Sequence, residues 1–268
     1  MESWGNLKKR WIIVVCLFAI MLGLQACGQS DAKTKEIVDR GFLRVGIKVD
    51  VPNFGYINPE TQVLEGLEID LARLIAEDLL GNREAVELIP VTAQTRGTML
   101  DNGELDLVIA TFTITEERKE IFHFTDSYFH DEIGFLVRKD SMVESILDID
   151  GKPVGLVQSG TATAALTQEA EALGITFTPQ EFASYPEIKA ALLVGEIIAL
   201  CVDKSILYGY ADEETMILAD GFNPQDYGIA TKLENVEFGN YLDKWLESIR
   251  ADGTLDELLI RWGQQPLG

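Results

Sequence analysis

Asp106-Leu107-Val108-Ile109-Ala110-Thr111-Phe112-Thr113-Ile114-Thr115-Glu116-Glu117-Arg118 is the stretch on which the reading of this chain turns. Residues 106–110 are a short apolar run opened by an aspartate, which suits a strand buried on both faces of an α/β sheet. The run gives way to Thr111, Thr113 and Thr115, and Glu116-Glu117-Arg118 starts a helix that Thr115 is placed to cap. In open α/β sheets, ligands bind beyond the carboxyl ends of strands, at helix N-termini, and this stretch supplies both.

The alternation continues in both directions. Upstream, Leu43, Val45, Ile47 and Val49 alternate as a strand does, and Leu67, Leu71, Leu74, Ile75 and Leu79 predict a helix over 67–80 stopped by Gly81-Asn82. Residues 85–91 read as a second strand and 96–101 as a helix ended by Asn102-Gly103. Downstream the scheme repeats, with a strand at 153–157, Ser159-Gly160-Thr161 leading into a helix over 162–172, and a strand at 176–182. Ser184-Tyr185-Pro186-Glu187 has capping-box spacing with an early proline and opens a helix that Gly195 closes. Residues 197–202 form a strand delivering Asp203, 227–231 a late strand, and 241–262 a mostly helical end. Two βαβ-rich halves give an α/β fold with parallel-rich sheets and helices on both faces. The extended stretches 134–139 and 221–231 permit, without forcing, a second domain inserted into the first and joined by two crossing hinge segments. Domain one is then 41–135 with 222–268, and domain two 136–221.

Composition agrees with a globular chain of one or two domains: 268 residues, 47% hydrophobic and 25% charged. Twenty-two Lys and Arg stand against 44 Asp and Glu, a net charge of -22, and such a surface repels nucleic acid. The first 26 residues read as a leader. Lys8, Lys9 and Arg10 precede an uncharged apolar stretch over 11–24, too short for a membrane span of roughly 20 residues. Leu24-Gln25-Ala26-Cys27 at its end resembles a bacterial lipobox, in which the cysteine is acylated and becomes the new N-terminus; the alternative is an ordinary secretory signal. Residues 27–40 are expected to be a tether, and the mature protein is expected at the outer face of the membrane, held by lipid only. Cys16 would leave with the leader and Cys27 would carry lipid, so no disulfide is expected, and Cys201 in its apolar run reads as a buried thiol.

Polar residues collect at the predicted strand ends. Lys48 and Phe54 follow the first strand, Thr111, Thr113 and Arg118 the third, and Gly160-Thr161 and Asp203 follow strands of the other half. Each alone reads as well as a surface ion pair or a cap. Together, cations on one half and a carboxylate on the other suit an amino acid, with Arg for its carboxylate and Asp for its ammonium, each charge-assisted bond contributing about 1.5–3 kcal/mol. The only histidines, His123 and His130, lie beside Phe124 and Phe129 and read as structural or surface groups. No catalytic triad, Cys/His pair or metal-ligand cluster can be assembled, so neither cofactor, metal nor catalytic residue is expected.

Arg44-Val45-Gly46-Ile47-Lys48, Gly66-Leu67-Glu68-Ile69-Asp70-Leu71-Ala72, the 106–118 stretch, Phe124-Thr125-Asp126-Ser127-Tyr128-Phe129, Val202-Asp203-Lys204-Ser205-Ile206-Leu207 and Tyr227-Gly228-Ile229-Ala230-Thr231 resemble the family-3 extracellular solute-binding proteins of polar amino-acid ABC importers. Val49-Asp50-Val51-Pro52-Asn53-Phe54 and Thr92-Ala93-Gln94-Thr95-Arg96-Gly97 are similar to the aspartate/glutamate-binding members. The resemblance covers 41–264. It implies a two-domain periplasmic-binding-protein-like fold of type II, a monomer that is no enzyme, a free amino acid as ligand and an ABC permease as partner.

It also implies roles. Arg118 would hold the α-carboxylate, helped by the N–H groups of Thr113 and Ala162, and Asp203 with a carbonyl near Thr111 would take the ammonium. Phe54 would cover the aliphatic part, and Lys48, Arg96 and the Thr111 hydroxyl would face a side-chain carboxylate. Gly160-Thr161-Ala162-Thr163 departs from the usual run of its loop. Counting Lys48, Arg96 and Arg118 against Asp203 leaves two positive charges in excess, which predicts an acidic ligand. The alternatives are glutamine or another polar amino acid, with Lys48 or Arg96 in a structural ion pair, and a dehydratase-like enzyme on the same fold.

Overall fold

The computed structural model describes residues 32–265, so the leader and Cys27 lie outside the described residues. The chain begins with α1 (Ala32–Arg40), β1 (Leu43–Ile47), β2 (Asp50–Val51), β3 (Gly55–Ile57), β4 (Leu64–Glu65) and α2 (Leu67–Leu80). It goes on through β5 (Val86–Pro90), α3 (Arg96–Asp101), β6 (Leu107–Ile109), α4 (Glu116–Lys119), β7 (Phe122–Phe124) and β8 (Phe129–Arg138). Then come β9 (Lys152–Val157), α5 (Ala162–Leu173), β10 (Phe177–Phe182), α6 (Tyr185–Leu193), β11 (Ala199–Asp203), α7 (Lys204–Tyr210) and β12 (Thr215–Ile217). The end is β13 (Phe222–Tyr227), β14 (Ala230–Lys232), α8 (Val236–Ala251) and α9 (Thr254–Arg261).

Two large sheets carry the molecule. The first runs β5-β1-β6-β14-β7, the second β10-β9-β11-β8-β12 with β13 also on β8. Both are mixed rather than parallel-rich. β5, β1 and β6 are mutually parallel, as are β10, β9 and β11, whereas β14 and β8 run against their neighbours. The antiparallel members are where the chain changes sheets: β7 to β8 on the way out, β13 to β14 on the way back. The two crossings lie side by side, with Tyr128 N donating to Tyr227 O at 2.9 Å and Thr125 N to Ile229 O at 3.0 Å.

Three expectations need correcting. The expected division at 135/136 and 221/222 falls at positions occupied by the second sheet, because all of β8 and β13 pair there. Residues 227–231 are not one strand, since the chain leaves the second sheet at Tyr227 and joins the first at Ala230. The tether over 27–40 contains α1, whose Ile37 is fully buried and whose Lys33 and Arg40 pair with Asp106. A mostly polar segment reads as coil until the one apolar residue and the distant carboxylate that dock it are known.

Of the local cap signals, two hold and one does not. α2 ends on Gly81 in the left-handed conformation, and Thr115 accepts the Arg118 N–H as the cap of α4. The Ser184 box does not close: Ser184 makes no side-chain cap, and Glu187 accepts instead from Ala183 N at 3.1 Å. Cys201 is a buried free thiol. Among the described residues no helix is long and apolar enough to cross a membrane, and no His, Cys, Asp and Glu group could hold a metal.

Candidate functional site

The carboxyl ends of β1, β6, β9 and β11 face one another across the junction of the sheets. Arg96, Thr111, Thr113, Thr161, Ala162 and Asp203 line one small cavity there, of about 10 Å³. That is room for about one water. Lys48, Phe54 and Arg118 do not line it. Phe54 is fully buried edge-on against Phe129 and Tyr227, with centroids at 5.1 and 5.9 Å. Arg118 stands at the rim and lines two adjoining clefts of about 440 and 350 Å³. Thr161 donates to Gln225 Oε1 at 2.7 Å.

The cations fall into two kinds. Lys48, 2% exposed, is paired with Asp50 at 2.9 Å and sits over the Tyr185 ring at 5.0 Å. Burial lowers its pKa while Asp50 acts against the shift. The expected excess of two positive charges therefore falls to one.

The two guanidiniums make no ion pair with any described side chain. Arg96 donates to the carbonyls of Ala110 (2.5 Å) and Thr111 (3.0 Å), and Arg118 to those of Thr113 (2.7 Å) and Ser159 (3.3 Å). Phe112 lies against both, at 4.3 and 4.8 Å from its centroid. Burial, then the charge of Arg96, brings the Arg118 pKa down to about 9.

Asp203 is buried with the Tyr227 hydroxyl donating to it at 2.5 Å. Burial first, then the neighbouring Asp131, lifts its pKa to about 7. A carboxylate so placed gains from any cation that reaches it.

Sequence reasoning missed Glu68, Tyr185, Tyr227 and the pairing role of Asp50. Tyr185 lines the cavity from α6, and Tyr227 sits at the return crossing, where its backbone bridges Thr113. Tyr185 was legible only as part of a helix start. Glu68 looked like an ordinary acidic residue in the first turn of a helix, but it is fully buried.

The two domains are closed on each other. Besides Arg118 to Ser159, the Tyr210 hydroxyl at the end of α7 donates to the Asp50 carbonyl at 2.5 Å, and Gly209 lies so near Pro52 that a Cβ would be 2.8 Å from its ring.

Residues 43–265 match the family of bacterial extracellular solute-binding proteins, family 3. The chain is 34% identical to an ABC transporter glutamine-binding protein of Bacillus subtilis over 94% of its length and 95% of that protein. It is 38% identical to a glutamine-binding protein of Geobacillus stearothermophilus over 76% of this chain and 78% of that one. A glutamate-binding protein of Corynebacterium glutamicum is 29% identical over 88% and 84%. Among solved structures, an ancestral arginine-binding protein bound to glutamine superposes with a TM-score of 0.75 at 32% identity, over 83% of this chain and 98% of that one.

Proposed function

The chain belongs to the bacterial extracellular solute-binding proteins, family 3, and on that premise we propose that it captures an acidic amino acid, glutamate or aspartate, between its domains for delivery to an ABC permease. One observation carries the ligand class. Arg96, Arg118 and Asp203 are gathered at one closed cleft, and none of the three is ion-paired within the described residues. Two cations and one anion complement two carboxylates and one ammonium, so an acidic amino acid leaves no charge without an opposite. Arg118 takes the α-carboxylate, Asp203 the ammonium, and Arg96 with Thr111 the side-chain carboxylate.

Burying these charges against fixed dipoles alone is costly, and the ligand supplies what they lack. A neutral amide would leave Arg96 facing no opposite charge. Losing one partner of a buried charge pair costs about 2–5 kcal/mol, roughly thirty- to several-thousand-fold in affinity.

Glutamine is the second reading. It is favoured by the names of the Bacillus and Geobacillus relatives and by Glu68, whose charge in its ionised form balances that of Arg96. Calorimetry with glutamate, aspartate and glutamine separates the two. Tighter binding of glutamine defeats the acidic assignment, and absence of binding by every common amino acid defeats both.

Two further parts belong to this reading. A cavity of about 10 Å³ admits no amino acid, so capture requires the domains to part about the paired crossings and close again. Small-angle scattering should show a smaller radius of gyration with saturating ligand than without, and equal values would remove the hinge. Attachment rests on Cys27: labelled palmitate should enter the wild type and not Cys27→Ala, and equal incorporation would remove the lipid anchor.

A further inference from the structure

Glu68 is the second residue of α2 and has no exposed surface. The start of that helix is pressed onto the 53–55 turn. Leu67 N donates to Asn53 O at 2.8 Å and Glu68 N to Phe54 O at 2.9 Å, and a Cβ on Gly66 would lie 2.0 Å from the Phe54 carbonyl oxygen. So fixed, the Glu68 carboxyl reaches the backbone of Thr111, a residue that lines the cleft cavity. Its Oε1 accepts from Thr111 N at 2.5 Å and from the Tyr128 hydroxyl at 2.6 Å, while Oε2 is buried without a hydrogen-bond partner.

Thr111 has φ +44°, a left-handed conformation that a β-branched residue rarely adopts. From its other side Arg96 donates to the carbonyls of Ala110 and Thr111. Two buried groups of opposite formal charge thus hold the same turn, and Thr111 between them lines the cavity.

We propose that Glu68 is a positioning residue that also sets specificity: its carboxyl orders the Thr111 turn, and its charge decides how well Arg96 receives a second ligand carboxylate. This deepens the amino-acid reading above and rests on it. The groups that face Glu68 are Arg96 from α3, Lys48 from the loop after β1 with its partner Asp50 at the start of β2, and Tyr128 from the outward crossing. From α9, Arg261 and Trp262 bond Asp70 and not Glu68.

Burial raises the Glu68 pKa to about 7, against the hydrogen bonds from Tyr128 and Thr111. As a carboxylate it offsets the charge of Arg96 and repels an acidic side chain. As the neutral acid it leaves Arg96 to the ligand. Binding of glutamate therefore draws a proton onto Glu68, and binding of glutamine does not. The α-ammonium and α-carboxylate are common to both ligands, so titration of Asp203 and Arg118 cancels in the ratio of the two affinities.

The test is calorimetry of L-glutamate and L-glutamine from pH 5.5 to 8.5, on the wild type and on Glu68→Gln, which keeps an acceptor for Thr111. In the wild type the glutamate-to-glutamine affinity ratio should fall roughly tenfold from pH 6 to 8.5, because each proton taken up on binding is worth at most tenfold per pH unit. In Glu68→Gln the ratio should be flat and, at pH 8.5, about tenfold above the wild type. Titrations at pH 7.5 in buffers of different ionisation enthalpy should show part of a proton more taken up with glutamate than with glutamine in the wild type, and no such difference in Glu68→Gln. A flat wild-type ratio, or a variant that keeps the slope, overturns the proposal and leaves amino-acid capture standing. The wild-type profile decides alone where the variant does not fold. Failure of the wild type to bind either ligand at any pH overturns this proposal together with the reading beneath it.

Discussion

Asp106 and Asp203 are both carboxylates at the edge of a parallel strand, both are buried, and the fold treats them in opposite ways. Asp106, just before β6, receives Lys33 at 2.8 Å, Arg44 at 3.0 Å, Arg40, and the Arg44 N–H at 2.8 Å. Burial pushes its carboxyl up, but the hydrogen bonds from Arg44 and Lys33 outweigh this and the net shift is downward. Asp203, at the end of β11, receives one neutral hydroxyl and is shifted up to about 7. The first carboxylate is saturated by its own chain and fastens a helix to a sheet. The second is left wanting a cation. A buried charge whose partners the chain does not supply marks the place where something else supplies them.

The widest test of this contrast is at the cleft. Arg118→Ala should weaken amino-acid binding by roughly thirty- to several-thousand-fold, the usual cost of losing one side of a buried charge pair, while the ligand-free melting temperature hardly moves. A parallel collapse of folding would place Arg118 with the structural charges. Asp106→Ala should do the reverse. Stranding three partly exposed cations should cost about 3 kcal/mol, roughly 6–12 °C in melting temperature, with ligand affinity unchanged in the folded fraction.

A pH series on ligand-free protein carries the contrast into one curve. Glu68 and Asp203 have folded pKa values raised to about 7, so their contribution to stability is complete below the unfolded value near 4 and is lost as pH rises through 7. Asp106 is lowered, so its contribution is present above the unfolded value and is lost as pH falls through the folded one. Denaturant unfolding should show stability rising by about 4 kcal/mol from pH 8 to pH 5.5, about 2 kcal/mol from each cleft carboxylate, and falling again below about pH 4. A curve without the alkaline slope would mean the cleft carboxylates are better paired than described. The smallest effect should come from Tyr210→Phe, which removes one hydrogen bond across the closed domains, about 1 kcal/mol, and weakens ligand binding about fivefold or less in the same calorimetry.

What was legible in the sequence follows the same division. Helix α2 was readable from its apolar spacing and the stopping glycine, and the Thr115 cap from the residues around it, because these signals are local. Arg96, Thr111, Thr113, Thr161, Ala162 and Asp203 were gathered by resemblance and strand-end logic, and they share one cavity. The split of 227–231 was not readable. Its residues suit a strand throughout, and only the pairing partners, Phe129 at one end and Phe124 at the other, show the change of sheet. Glu68 was hidden for a related reason. Followed by Asp70 in a first turn, it satisfies the helix N-terminus as an exposed acid would, and its burial comes from Thr111 and Tyr128, both remote in sequence. The same distance concealed the Lys48–Asp50 pair: neighbours so close in sequence needed the cleft around them before their mutual neutralisation counted.

The docking of α1 has a consequence for reach. With Cys27 as the lipid-bearing residue, a free segment to Arg40 would let the body wander about 45 Å from its anchor at full extension. Because Ala32 already begins a helix fastened through Ile37 and Asp106, the reach from a lipid-bearing Cys27 would be at most about 17 Å. On that reading its effective concentration at a membrane partner, which falls roughly as the −3/2 power of tether length, would rise about fourfold, set by nothing more than where the first helix starts.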